Sequence, residues 1–171
     1  VCARVARNEA YPGNQGANYR LNPGEAWAET YRLMDERRAG ITTATWPIVA
    51  PAFYPGEAAL QAAEADVLDP WTEPTTTSAR RTLGRTTRTV WLLPIRTPLD
   101  GPLQATVTVP RSGTHEVTLL TANRKTVLAR ATKSGPRVRR VTATVCGQRS
   151  VVLRIARSGP PAPVVATVSV P

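Results

Sequence analysis

Leu103-Gln104-Ala105-Thr106-Val107-Thr108-Val109 alternates apolar and polar residues without a fault, and this period of two decides the fold class of the C-terminal half. Successive side chains of a strand point to opposite faces, so such a run buries one face and wets the other. Six more Val-, Thr- and Leu-rich runs surround it: Thr89 to Ile95, His115 to Thr121, Thr126 to Ala131, Arg139 to Val145, Val151 to Arg157 and Val164 to Val170. Turn residues separate them at Pro98, Asp100-Gly101, Ser112-Gly113, Ser134-Gly135-Pro136 and Ser158-Gly159-Pro160. Seven short antiparallel strands at this spacing predict a β-sandwich over residues 88–171. The pattern does not specify the order of the strands.

Upstream the period becomes helical. Asn22 suits an N-cap and Pro23 the first helical position, so a helix is expected from Pro23 through Arg38, stopping at Gly40. Trp27, Tyr31 and Met34 form an apolar stripe along it, expected to lie in the core. A second helix is read from Gly56 to Leu68, with Leu60, Ala63 and Val67 on one face. Between them, the proline-rich Thr45 to Pro55 is expected to be a packed loop anchored by Trp46, Phe53 and Tyr54. The first twenty residues read as loop, broken by Pro12, Gly13 and Gly16.

The net charge of +10 is unevenly spread. Residues 1–79 carry six arginines against ten acids, a net of −4, and residues 80–171 carry sixteen Lys/Arg against two acids, a net of +14. Two regions with different chemistry follow, an α+β chain divided into a helical part (1–70), a Pro/Thr/Arg-rich linker (71–87) and the sandwich (88–171). With 42% hydrophobic residues the chain can bury a core, and its apolar runs are too short to span a membrane as a helix.

The helix start at Asn22-Pro23-Gly24-Glu25-Ala26-Trp27-Ala28-Glu29-Thr30-Tyr31 sets Glu25 and Glu29 one turn apart on one face. Capping alone would account for Glu25, three residues after an Asn N-cap, but not for Glu29 and the aromatic pair. The segment resembles the helix that carries the third metal ligand in gluzincin-type zinc metallopeptidases, where it follows an HExxH helix. That resemblance implies a small helical remnant of a zincin-like catalytic domain, with Glu25 as the zinc ligand. Glu29 would be a supporting acid and Tyr19 a catalytic tyrosine. In the relatives the tyrosine lies one residue further from the glutamate, where Asn18 stands here.

HExxH places two histidines around the metal with a glutamate as general base. This chain has one histidine, His115, and no such helix. Catalytic zinc normally takes three protein ligands, so the chain alone is expected to be inactive and to bind no zinc. The sequence opens Val1-Cys2-Ala3 without an initiator methionine. The simplest expectation is a C-terminal fragment of a larger bacterial peptidase whose HExxH lies upstream; the alternative is a degenerate homologue that has lost its histidines.

Residues 88–171 also resemble the pre-peptidase C-terminal type of sandwich appended to secreted bacterial proteases, chiefly in Gly113 to Leu119 and Arg149 to Pro171. The two resemblances together imply a secreted or cell-surface zinc peptidase acting on peptides or proteins. The competing class is a noncatalytic surface protein whose basic sandwich binds an anionic cell-wall polymer. Nucleic acid is not the expected partner, because Trp91 is the only aromatic residue after the linker and no groove-reading helix is present.

Two cysteines, Cys2 and Cys146, exclude a cysteine-rich zinc finger or a disulfide framework. They leave open a bridge to each other, a bridge from Cys2 to an upstream cysteine, or two buried thiols. G-x-S-x-G, P-loop and dinucleotide fingerprints are absent. Carboxylates on one helical face also cannot flank a glycosidic bond from opposite sides.

Overall fold

The computed structural model describes residues 1–41, 48–84, 89–133 and 136–171. The chain divides into two compact units, Val1–Thr72 and Glu73–Pro171.

The first unit contains α1 (Cys2–Val5), α2 (Pro23–Arg38) and α3 (Glu57–Leu68), with short 3₁₀ turns at Tyr19–Leu21 and Pro51–Phe53. Asn22 caps α2 by accepting a hydrogen bond from the Gly24 N–H at 3.0 Å, with Pro23 at the first position. The helix ends where Gly40 takes φ +71° and the Ile41 N–H reaches back to the Glu36 carbonyl at 2.8 Å. Met34 packs with Leu60 and Ala63 of α3, and Tyr31 and Leu33 lie against them. Tyr31 Oη donates to Asp66 at 2.5 Å, while Arg37 pairs with Glu57 at 2.7 Å and Arg38 with Glu64 at 2.8 Å. These contacts run the two helices antiparallel.

Three expectations for this unit change. Cys2–Val5 is a helical turn rather than loop. Trp27 does not share the burial of Met34: it is 42% exposed and meets Tyr31 edge-on, with ring centroids 5.3 Å apart. Val67 is exposed because α3 buries only Leu60 and Ala63. The proline-rich connection is irregular apart from its 3₁₀ turn; Phe53 is half-buried beneath Arg4, Tyr54 is exposed, and Trp46 lies outside the described residues.

The second unit holds β1 (Thr75–Leu83), β2 (Thr89–Arg96), β3 (Gly101–Thr108), β4 (Thr114–Thr121), β5 (Val127–Arg130), β6 (Thr132–Lys133), β7 (Val138–Val145), β8 (Ser150–Ser158) and β9 (Ala162–Val170). One sheet runs β1-β9-β3-β7-β6 and the other β2-β8-β4-β5, with every pairing antiparallel. Leu103, Ala105, Val107 and Val109 meet Val117, Leu119, Leu153 and Ile155 of the opposite sheet in one core cluster. The structure is therefore an α+β chain whose strands form a two-sheet sandwich.

All seven expected strands form, and β1 and β6 add to them. β1 occupies residues read as linker. It is an edge strand paired only to β9 and exposed along most of its length, so it carries no alternation for the eye to find. Its Thr-rich composition suits extended backbone, and only Ala79 and Leu83 join the core. Residues 85–87 of that segment, Arg88 and the Ser134-Gly135 turn lie outside the described residues. β8 also hides its period, because as an inner strand of the four-stranded sheet it is buried on both faces. Pro94 is tolerated in β2 because that strand is an edge.

One end of the sandwich is closed by a buried cation that sequence reading passes over. Arg157 is 0% exposed; its Nη1 donates to the carbonyls of Leu83 at 2.7 Å, Gly159 at 3.4 Å and Pro160, and its Nη2 to Ser112 at 3.3 Å. Gly84, at φ +115°, lets the chain pass: a Cβ there would sit 1.8 Å from Arg157 Nη1 and 2.5 Å from the Gly159 carbonyl. Cys2 and Cys146 are both disulfide-bonded, which removes the free-thiol alternative.

Candidate functional site

The loop before α2 is folded onto the helix start by a single side chain. Asn22 is buried; beyond its cap bond its Oδ1 accepts from the Gly13 N–H at 3.2 Å, and its Nδ2 donates to the Asn14 carbonyl at 3.3 Å. The Tyr11 N–H bonds the Leu21 carbonyl at 3.0 Å, closing the loop. Tyr19, in the 3₁₀ turn at the loop's end, is thereby carried over the first turn of α2.

There Tyr19 Oη donates to Glu25 Oε2 at 2.6 Å, and Gln15 Nε2 approaches Oε1 at 3.5 Å. Two residues singled out from the sequence thus meet. Glu25 does not complete a capping box, because the Asn22 backbone N–H is donated to the Tyr19 carbonyl at 2.9 Å instead. Its carboxylate is half-buried at the positive end of the helix, where the dipole favours an anion. The hydrogen bond to Glu25 raises the Tyr19 phenol above its ordinary pKa, with burial acting in the same direction.

Glu29 sits one turn on and is only 2% exposed. Arg32 grips it with both arms of the guanidinium, Nη2 to Oε1 at 2.6 Å and Nε to Oε2 at 2.9 Å, and also bonds Glu36. That hydrogen bonding holds the Glu29 carboxyl below the usual range against the opposing effect of burial, so it stays ionised with both oxygens engaged.

A carboxylate facing a phenol is an oxygen donor of the type zinc accepts. Among the described residues, however, no group of three or more His, Cys, Asp and Glu could hold a metal ion. The described residues therefore do not make up the three protein ligands of a zinc centre, and Glu25 is one oxygen donor of the type such a centre uses. His115 lies on β4, with its Nε2 buried and lacking a hydrogen-bond partner. Burial lowers its pKa, and the charges of Arg157 and Arg139 lower it further.

A cavity of about 310 Å³ in the helical unit is lined by Arg4, Trp27, Thr30, Phe53 and Tyr54 among others, and does not include Tyr19, Glu25 or Glu29. In the sandwich, the outward face of the four-stranded sheet holds a depression of about 440 Å³ with Arg124, Arg130 and Arg154 on its walls. Sequence reading registered the excess of cations but not their grouping. No described helix is long and apolar enough to cross a membrane. No protein-family model matches the chain, and no curated protein matches its sequence significantly.

Proposed function

We propose that this chain is part of a secreted zinc-dependent peptidase in which Glu25 is the third protein ligand, beside the histidine pair of an HExxH helix not contained in this sequence. The observation that carries the reading is the Tyr19–Glu25 hydrogen bond of 2.6 Å, since it gives Glu25 a partner suited to a site rather than a helix-capping role. When bound, zinc would polarise the scissile carbonyl and acidify the attacking water. Glu25 would offer one carboxylate oxygen to it. Tyr19 would orient that carboxylate through its single O–H and, on turning that O–H away from Glu25, would donate it to developing oxyanion charge. Glu29, locked by Arg32, would hold the helix rather than touch substrate. The disulfide state of both cysteines supports an oxidising compartment, hence export or surface display. Alone, the 171-residue chain would not cleave its peptide or protein substrate.

The test is the metal content and peptidase activity of the protein translated from the whole open reading frame, native and as Glu25→Gln and Tyr19→Phe. Native protein should hold one zinc, Glu25→Gln should weaken zinc binding by more than the roughly 10–100-fold typical of losing a ligand's hydrogen-bond partner, and Tyr19→Phe should lose activity while keeping more zinc than Glu25→Gln. Zinc retained undiminished in Glu25→Gln, or a reading frame without HExxH, would overturn the assignment.

A second reading, a noncatalytic surface protein whose sandwich binds an anionic cell-wall polymer, is favoured by charge. Residues 73–171 carry sixteen Lys/Arg against Glu73, Asp100 and Glu116, a net of +13.

A further inference from the structure

The cations of the sandwich are organised by strand register. On the outward face of the four-stranded sheet, Leu92 of β2 pairs with Arg154 of β8, Arg154 with Thr118 of β4, and Thr118 with Arg130 of β5. One row across four strands therefore reads Leu-Arg-Thr-Arg. With strands about 4.8 Å apart, the two arginines straddle a short threonine and leave a hollow between them. Thr118 is buried on the floor of the hollow, with a hydroxyl that has no hydrogen-bond partner. Glu116 is shared by Arg154 at 3.1 Å and Arg130 at 3.8 Å, and Arg124 joins the rim from the turn after β4. Two guanidiniums thus share one carboxylate, and a third lines the same hollow.

The walls between the cations are aliphatic: Val90, Leu92, Leu120 and Val127, of which Val90 and Val127 are exposed. Among the described residues no aromatic ring lines the hollow, and Trp91 alternates to the inner face and is buried in the core. A base would find no aromatic ring to stack on. A flexible chain of C–H groups carrying phosphates would find both surfaces it needs, since guanidinium forks match phosphate oxygens and aliphatic side chains cover the backbone between them.

We propose that the Arg124–Arg130–Arg154 hollow is the binding site for a phosphate-bearing polyol polymer, which rests on the second reading above and gives it a location and a ligand class. The salt dependence follows from release of the polymer's counterions by the three arginines.

The probe is poly(glycerol phosphate), titrated into the intact chain at several salt concentrations, with an oligothymidylate of equal charge for comparison. Arg124→Gln/Arg130→Gln/Arg154→Gln should bind at least about tenfold more weakly, with a log–log salt slope smaller by about 2–3. Arg80→Gln/Arg81→Gln/Arg140→Gln removes the same charge from other strands of the sandwich and should leave binding within about threefold of native. Equal losses in the two triple variants would overturn the site while leaving a diffuse polyanion role intact. Oligothymidylate binding as tightly as the polyol phosphate would overturn the ligand class. Absence of binding by native protein at about 150 mM salt would sink the second reading itself. If the first triple variant misfolds, Arg130→Gln alone suffices, because that side chain is largely exposed and should still lower the slope by about 1.

Discussion

The helical unit and the sandwich bury their apolar residues in very different measure. Among the described residues, the sandwich gathers eighteen buried hydrophobic residues into one cluster drawn from both sheets, while the α2–α3 cluster holds three, Met34, Leu60 and Ala63. Around that small cluster the helices rely on exposed ion pairs such as Arg37–Glu57 and Arg38–Glu64, and they leave Trp27, Val67 and Leu68 open to water. Burial of apolar surface dominates folding energetics, and exposed ion pairs add little. The difference teaches that the two units are held by different means: the sandwich carries the large core, and the helical unit relies more on ordered polar contacts, among them those of Asn22, Tyr19 and Glu25.

The sharpest test of that contrast is Leu153→Ala, which empties a fully buried core position and should cost about 3–5 kcal/mol. Native-state hydrogen exchange should show the loss in β2, β4 and β8. If α2 rather than these strands lost protection, the contrast would be wrong. Gly84→Ala should follow at about 2–4 kcal/mol, from a positive φ and from displacing the Arg157 guanidinium that ties Leu83, Ser112 and Pro160 together. Denaturant midpoints measure it, and a neutral result would mean the Arg157 cluster adds nothing to sandwich stability.

A smaller effect depends on pH. His115 has its folded pKa lowered by burial and by Arg157 of β8 and Arg139 of β7, so the unfolded chain takes up the proton first, near its ordinary value of about 6.5. The contribution to stability is therefore complete above that pH and declines as pH falls below it, until the folded imidazole also protonates. Chemical denaturation between about pH 7.5 and 5.5 should show the decline, and His115→Gln should flatten it. An unchanged slope in the variant would place the titrating group elsewhere. The smallest change is expected from Arg37→Ala, about 0–1 kcal/mol in the same assay, because its ion pair with Glu57 lies in solvent. A larger loss would mean the helical unit leans on its ion pairs more than its small core implies.

Much of this structure could be read from local pattern. The Leu103–Val109 alternation became β3 because one side of that strand is core and the other is not, and α2 runs from its proline to Arg38 because its cap and stop are encoded within a few residues. β1 escaped notice for the converse reason: an edge strand exposed along most of its length shows no period. The approach of Tyr19 to Glu25 was suggested only by resemblance, since their contact depends on a loop drawn in by Asn22. Arg157 and the Arg130–Thr118–Arg154 row offered no signal, because a buried arginine and a surface arginine look alike in one dimension.

The sequence by itself determined α2, α3, the seven strands with a visible period, the charge division and the chemistry available at each position, because these follow from spacing and from neighbours along the chain. Tertiary structure alone decided that β1 pairs with β9 and β2 with β8, that Arg157 lies among carbonyls, and that three arginines share one hollow. The physical reason is that register between distant strands is chosen by the joint burial of two faces, a quantity no single segment contains.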